Sequence, residues 1–144
     1  MFNLFNKKKE QHPISTIFND LSSNQKMSIF NLLTTIASCD GNDGDFDIEL
    51  KFLNVYIDIL DINGSKCTRY LQSHGLESTI SDLKSISQKQ KEIIVIIAWK
   101  IVICDGRPNA KEINAFGNFF KAIGIEEEQQ LEIIAKNEAL NQSF

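Results

Sequence analysis

The chain has 144 residues, of which 42% are hydrophobic and 24% are charged, and its formal net charge is −4. This length is typical of one domain with a single core, and two prolines and seven glycines are too few for a fibrous or disordered chain. Non-specific binding of nucleic acid depends on a basic surface, so the charge argues against that class and favours a cationic ligand or a metal.

The first 13 residues are expected to form a flexible tail that is separate from the domain. They combine an apolar tip with a lysine run, in Phe2, Leu4, Phe5, Lys7, Lys8 and Lys9. One interpretation is a frayed terminus. The other is a weak, reversible contact with the inner face of a membrane, in which each lysine contributes about 1 kcal/mol near anionic lipid.

Residues 14–144 are expected to form one compact all-α domain. Ser22 and Gln25 fit a capping box, and so do Ser87 and Gln90, 65 positions later. The dipeptides Asp40-Gly41 and Asp105-Gly106 are also 65 positions apart, so that residues 22–41 align with residues 87–106 without a gap. The sequence therefore indicates an internal duplication.

The duplication resolves the secondary structure of the apolar run from Ile93 to Cys104. Its β-branched residues are compatible with a buried strand, but its counterpart, Met27 to Ala37, has the apolar spacing of a helix. We therefore predict that both segments are helices. The run has 12 residues including Lys100, fewer than the roughly 20 needed to cross a bilayer, and is interpreted as core.

Each Asp-Gly pair is followed by a second amphipathic helix, in Ile48 to Leu60 and in Ala110 to Ile123. The pattern thus predicts two pseudo-symmetric helix-loop-helix repeats, residues 22–62 and 87–125. Two short helices separated by Gly75 are expected between the repeats. A last helix follows Glu126, with Leu131, Ile134 and Ala135 facing inward, which gives seven or eight helices and no strand.

The first loop is the most acidic part of the chain. Five carboxylates fall within ten residues, in Asp40, Asp43, Asp45, Asp47 and Glu49. Such a cluster could bind a hard divalent cation, since calcium takes six to eight oxygen ligands. The EF-hand pattern is not met, however: counted from Asp43, the turn glycine is replaced by Ile48 and the last glutamate by Asn54.

A purely structural interpretation of the loops is also open. Gly41 and Gly106 stand where a helix would end in a left-handed cap, and Asn109 to Glu112 fits a capping box. Against it, an aspartate in the last turn of a helix opposes the helix dipole, and the chain has two such aspartates.

The sequence resembles the tellurite-resistance TerB-like family, including its relatives fused to J-domain proteins. The shared pattern is a helix that ends in small residues, then Asp-Gly, five residues, Glu and an apolar helix closing on an Ile-Gly-Ile phrase. The second copy, from Asp105 to Ile125, matches it, and the first copy matches at Asp40, Gly41 and Glu49 with two extra residues between. The resemblance covers roughly Ser22 to Asn137.

This resemblance implies an all-helical domain that brings the acids of both repeats to one surface, where such acids are associated with divalent metal in the family. The corresponding residues here are Asp40, Glu49, Asp105 and Glu112. Because the first loop is longer, Asp43, Asp45 and Asp47 could substitute for Glu49. The family acts in stress response and signalling at the membrane, and the resemblance implies no enzyme.

We therefore expect a cytoplasmic, non-catalytic TerB-like domain that binds a divalent metal, calcium in the first instance, and interacts with a protein partner but not with nucleic acid. The alternative is a metal-independent interaction protein, such as an immunity or antitoxin-like protein or a defence-complex subunit, that uses its acidic loops for docking. The chain has no hydrophobic secretion signal, CxxC pair, Gly-x-Ser-x-Gly or phosphate-binding loop.

The cysteines, the histidines and the tryptophan are interpreted separately. Cys39 and Cys104 precede the two aspartates, either as small buried residues or as a soft-metal or redox pair. His12 and His74 are expected at the surface. Trp99 is expected in the core.

Overall fold

The computed structural model describes residues 16–38, 46–103 and 110–141, with the side chains of residues 46–50, 52 and 138–141 left aside. These ranges contain six helices and no strand, so the all-α prediction is confirmed for them. The helices are α1 (Ser23–Ala37), α2 (Phe46–Leu60), α3 (Gly64–Lys84), α4 (Gln88–Ile103), α5 (Ala110–Ala122) and α6 (Glu127–Asn141). The predicted N-terminal tail lies outside the described residues.

The two short helices predicted between the repeats are the two parts of α3. Gly75 has φ 75° and ψ 178°, a non-helical conformation that glycine adopts without steric cost, and it divides α3 into two segments. Asn63 is the N-cap of α3, and its side chain accepts a hydrogen bond of 3.1 Å from the Lys66 backbone N–H. Before α1, residues 18–20 form a turn in which the Leu21 N–H donates to the Phe18 carbonyl at 3.1 Å.

Helices α1 and α4 begin with the same capping geometry. The Ser22 backbone N–H donates to Gln25 Oε1 at 2.9 Å, and the Gln25 backbone N–H donates to Ser22 Oγ at 3.1 Å. Ser87 and Gln90 repeat these two bonds at the same distances. Both predicted capping boxes are therefore confirmed.

The same two helices also bury corresponding positions. The buried apolar residues of α1 are each matched in α4 by a buried apolar residue 65 positions later. The pairs are Ile29 and Ile94, Leu32 and Ile97, Leu33 and Ala98, Ile36 and Ile101, and Ala37 and Val102. All ten belong to one core cluster, in which α1 packs against α2, α3, α4 and α5.

Helices α2 and α5 end alike, with positions 63 residues apart. The Ile62 N–H donates to the Ile57 carbonyl at 3.2 Å, and the Ile125 N–H donates to the Phe120 carbonyl at 2.8 Å. The residue before each donor has a positive φ, 54° at Asp61 and 104° at Gly124. These are the hydrogen bond and the left-handed residue of a Schellman cap.

The cap of α2 carries strain that glycine would remove. We expect Asp61→Gly to raise the free energy of unfolding by about 0.5–1 kcal/mol, since a left-handed non-glycine residue costs roughly 1–2 kcal/mol and the more flexible unfolded chain offsets part of the gain. The matched change Gly124→Ala should lower stability by a similar amount. Urea denaturation measures both changes in the free energy of unfolding. Changes of the same sign for the two substitutions would contradict the assignment of the two Schellman caps.

Helix α6 faces the core with a side that matches the predicted one only in part. Leu131 is 60% exposed and Ala135 is exposed, whereas Gln130 and Ile133 are only 5% and 8% exposed. The cause is the Gln130 side chain, whose Nε2 donates to the carbonyls of Gly117 at 3.1 Å and Ile125 at 2.9 Å. These bonds compensate the burial of the amide, so the prediction was wrong for Leu131 and Ala135, whereas Ile134 is partly buried against the core as predicted.

None of the helices in the described ranges combines the length and apolar character that crossing a membrane requires. This finding agrees with the interpretation of the apolar run in α4 as core, and most of its side chains are buried. Trp99, also predicted to lie in the core, is only partly buried and packs edge-on against Phe116 at a ring-centroid distance of 5.5 Å.

Candidate functional site

The starts of α1 and α4 lie side by side, joined by the glutamines of the two capping boxes. Gln90 Nε2 donates to the Ile17 carbonyl at 2.9 Å and to Asp20 Oδ1 at 2.8 Å, both in the segment that precedes α1. Gln25 Nε2 donates to the Asp82 carbonyl at 3.4 Å and to Ser85 Oγ at 3.2 Å, both in the segment that precedes α4. The capping glutamine of each helix thus binds the segment that precedes the other helix.

These contacts are reciprocal position by position. Ile17 and Asp82 are 65 residues apart, and so are Asp20 and Ser85, which is the same spacing as that between the two glutamines. Because α1 and α4 begin together and bury matched stripes in one core, they run from the same end of the domain. Each is followed by one of the two acidic loops.

The predicted metal ligands fall mainly in and beside those loops. Asp40, Asp43, Asp45 and Asp105 lie outside the described residues. Asp47 and Glu49 belong to the beginning of α2, and Glu112 belongs to the first turn of α5, 63 positions after Glu49. Within the described ranges, no group of three or more His, Cys, Asp or Glu residues is placed to hold a metal ion.

Glu112 is the predicted ligand whose side chain is described, and it is only 1% exposed. A carboxylate this buried must be compensated by hydrogen bonds or by positive charge, and its place in a first turn also complements the helix dipole. Its burial fits both interpretations made from the sequence, a capping residue and a metal ligand. Other acids of the described ranges, such as Glu126 and Glu127, are exposed.

The cysteines and histidines add no soft-metal site among the described residues. Cys67 is fully buried, and burial raises the pKa of its thiol to about 11, so that it carries little thiolate at neutral pH. His74 is exposed, as predicted, and its ring stacks on Tyr70 at 4.6 Å. Cys39, Cys104 and His12 lie outside the described residues.

A polar cluster that sequence reasoning missed ties α1 to α3. One carboxylate oxygen of Asp82, Oδ2, accepts from Ser28 Oγ at 2.7 Å and from the Tyr70 hydroxyl at 2.6 Å. The hydrogen bond to Asp82, with smaller effects of burial and of the carboxylate charge, raises the pKa of Tyr70 to about 12. No spacing signal predicts this cluster, because its three members meet only after α1 and α3 pack together.

Both tyrosines of the chain should ionise late. The pKa of Tyr70 is raised to about 12 by Asp82, and the pKa of Tyr56 is raised to about 12 by burial. Because the folded pKa exceeds the unfolded value near 10, these phenols stabilise the fold below about pH 10, and this contribution is lost as the pH rises through about 12. Phenolate absorbance of the folded protein should therefore appear only above about pH 11.

This titration is checked by ultraviolet absorbance, with circular dichroism at each pH to show that the protein is folded. The variants Tyr70→Phe and Tyr56→Phe leave one phenol each and separate the two causes. A folded-state midpoint near pH 10 in Tyr56→Phe would show that the hydrogen bond between Tyr70 and Asp82 is absent.

A groove with a volume of about 450 Å³ lies between α5 and α6 in the described part of the chain. Its apolar side chains come from α4, α5 and α6, and they are Trp99, Ile113, Phe116, Leu131 and Ile134. Lys121, Glu126 and Glu127 are the charged residues that line it. Glu112, the predicted metal ligand whose side chain is described, does not line the groove.

The buried polar atoms without a hydrogen-bond partner in the described ranges include the indole Nε1 of Trp99 and Oγ1 of Thr79. A buried donor or acceptor without a partner costs roughly 1–3 kcal/mol. Trp99 lies at the wall of the groove, whereas Thr79 lies in α3.

Comparison of the chain with protein-family models, with curated proteins and with solved structures finds no match. The function is therefore inferred from the geometry of the chain itself.

Proposed function

We propose that the chain is a TerB-like stress-response or signalling domain, built from two pseudo-symmetric repeats, that binds a divalent cation between its two acidic loops without catalysing a reaction. The observation that carries this proposal is the reciprocal contact of Gln25 and Gln90, in which each partner atom is matched 65 positions away. Matched buried stripes and matched helix ends support the same two-fold arrangement.

The two-fold arrangement matters for metal binding because it relates the ends of α1 and α4, which precede the two acidic loops. Helices α1 and α4 begin together and have 15 and 16 residues, so they differ in length by only about 1.5 Å. We therefore infer that the ends of α1 and α4, after which the two acidic stretches of the sequence follow, lie at the same end of the domain. Acids of both repeats are then available to one ion.

The acids provide oxygen ligands of the kind that calcium uses. The first loop and the start of α2 carry five carboxylates within ten residues, whose mutual repulsion a cation would offset. The proposed ligands are Asp40, Glu49, Asp105 and Glu112, with Asp43, Asp45 and Asp47 in support. Bound metal would neutralise the cluster and stiffen both loops, which changes the surface offered to a protein partner.

Binding of calcium should stabilise the protein against heat. At a calcium concentration 100 times the Kd, the free energy of unfolding rises by about 2.7 kcal/mol, which for a domain of this size raises Tm by roughly 8 °C. Thermal melts after removal of metal with a chelator, with calcium, magnesium, manganese or zinc added in turn, measure the shift and its selectivity.

The control for specific binding is the variant Glu77→Gln, which removes an exposed carboxylate of α3 and should show the full shift. The double variant Asp40→Asn with Asp105→Asn should show little or none. If no cation shifts the Tm of the unsubstituted protein, the metal proposal fails. A metal-independent interaction protein would then be the better interpretation.

A further inference from the structure

The groove between α5 and α6 exposes apolar residues that have the spacing of a core. Ile113 belongs to the same helical stripe as Phe116 and Phe120, which are buried, yet Ile113 is 40% exposed. Across the groove, Leu131 is 60% exposed. Both line the groove, so that two facing helices present uncovered apolar side chains to the same space. Such a surface is typical of an interaction site.

The groove is large enough to receive the side chains of a ligand. Its volume of about 450 Å³ lies within the range of ligand sites in proteins, and its walls are two helices. A groove between helices that is apolar at the centre accepts the apolar face of an amphipathic helix, with side chains at positions i, i+3, i+4 and i+7. The partly buried ring of Trp99, beside Phe116, provides a large flat contact surface.

The charged residues that line the groove favour an occupant of complementary charge. Glu126 and Glu127 are exposed at the start of α6, and neither forms an ion pair within the described part of the chain. Lys121 is the one cationic residue lining the groove, as far as the described ranges show, and Glu128 follows the two acids. A basic residue next to an apolar face would thus complement this end of the groove.

We propose that the groove between α5 and α6 is a docking site for a basic amphipathic helix of a partner protein. The apolar face of that helix covers Ile113 and Leu131, and its lysine or arginine side chains meet Glu126 and Glu127. The site does not include Glu112, the proposed metal ligand whose side chain is described, because Glu112 does not line the groove. It can therefore be tested without added metal.

The test uses a synthetic helical peptide of about 18 residues, or about 27 Å, with leucines at i, i+3, i+4 and i+7, lysines on its flanks and no tryptophan. Because Trp99 is the single tryptophan of the chain and lines the groove, its fluorescence reports binding directly. We expect a saturable change in the emission of Trp99 with a Kd of about 10 µM or tighter, in the range common for transient helix docking.

Matched variants locate the contact. Leu131→Asp should raise the Kd at least about tenfold, as expected for an anchor at the centre of an interface. Val55→Asp, which changes a 52% exposed apolar residue of α2, should leave it unchanged. Glu126→Gln combined with Glu127→Gln should weaken binding and reduce its dependence on salt, whereas Glu77→Gln should do neither.

Four results would overturn the proposal. The first is an absence of saturation up to about 1 mM peptide, and the second is equal weakening of binding by Leu131→Asp and Val55→Asp. The third is equal binding of a peptide that has glutamate in place of lysine. The fourth is occupation of the groove by a second copy of the chain or by the chain's own residues 1–10. A second copy in the groove would appear in sedimentation as a dimer that Leu131→Asp disperses. The chain's own residues 1–10 in the groove would appear as peptide binding that tightens when they are deleted.

Discussion

Replacing Gln90 with alanine is expected to lower the free energy of unfolding by about 2–4 kcal/mol, a large effect for one polar side chain. Gln90 is buried, and its side chain accepts from the Ser87 N–H and donates to Ile17 and Asp20. Alanine would leave a helix-start N–H and a carbonyl without partners and would detach the segment before α1 from α4.

The variants Gln25→Ala and Gln88→Ala are the matched controls, measured together with Gln90→Ala by urea denaturation. Gln25 occupies the equivalent capping position, but it is only partly buried and its bonds across to Asp82 and Ser85 are longer, 3.4 and 3.2 Å, so a loss of about 1 kcal/mol is expected. Gln88 is exposed and should change stability by less than about 0.5 kcal/mol. Equal stability of Gln90→Ala and Gln88→Ala would show that the contact between the helix starts does not stabilise the fold.

Truncation of matched core residues should be costly in both repeats. Ile36 in α1 and Ile101 in α4 are fully buried members of one cluster, 65 positions apart. Ile36→Ala and Ile101→Ala should each lower the free energy of unfolding by about 2–5 kcal/mol, because each removes buried methylene groups and leaves a cavity.

Ile103→Ala is the control for these substitutions, since Ile103 is exposed although it lies only two residues beyond Ile101. It should cost less than about 1 kcal/mol. Chemical denaturation of the three variants measures the ranking. If either Ile36→Ala or Ile101→Ala costs no more than Ile103→Ala, the matched burial of the two helices is not a source of stability.

Much of the fold is predictable from the sequence, because its signals are local or repeated. Ser22 and Ser87 predict the starts of their helices because the hydrogen bonds that they accept span only three residues. The β-branched run of α4 is ambiguous alone, and only its match with α1 identifies it as a helix. Gly75 similarly marks the interruption of α3, because few other residues adopt its backbone conformation.

Features that depend on packing are not predictable in this way. Leu131 has the spacing and the hydrophobicity of a core residue, but the amide of Gln130 finds two carbonyl partners that become available only when α5 and α6 meet. The cluster around Asp82 has the same origin, because Ser28 and Tyr70 come from different helices. The burial of Glu112 is likewise a tertiary property. For the acids of the two loops, the sequence predicts the chemistry of a metal site but not its geometry.

The most direct test of a single metal site shared by both loops is isothermal titration of the metal-free protein with calcium. One ion should bind per chain, and Asp40→Asn and Asp105→Asn should each weaken binding at least about tenfold, because removal of either carboxylate takes a charged ligand from the same ion. Two independent sites, each lost with only one of the substitutions, or the absence of binding heat for calcium, magnesium, manganese and zinc in the unsubstituted protein, would contradict it.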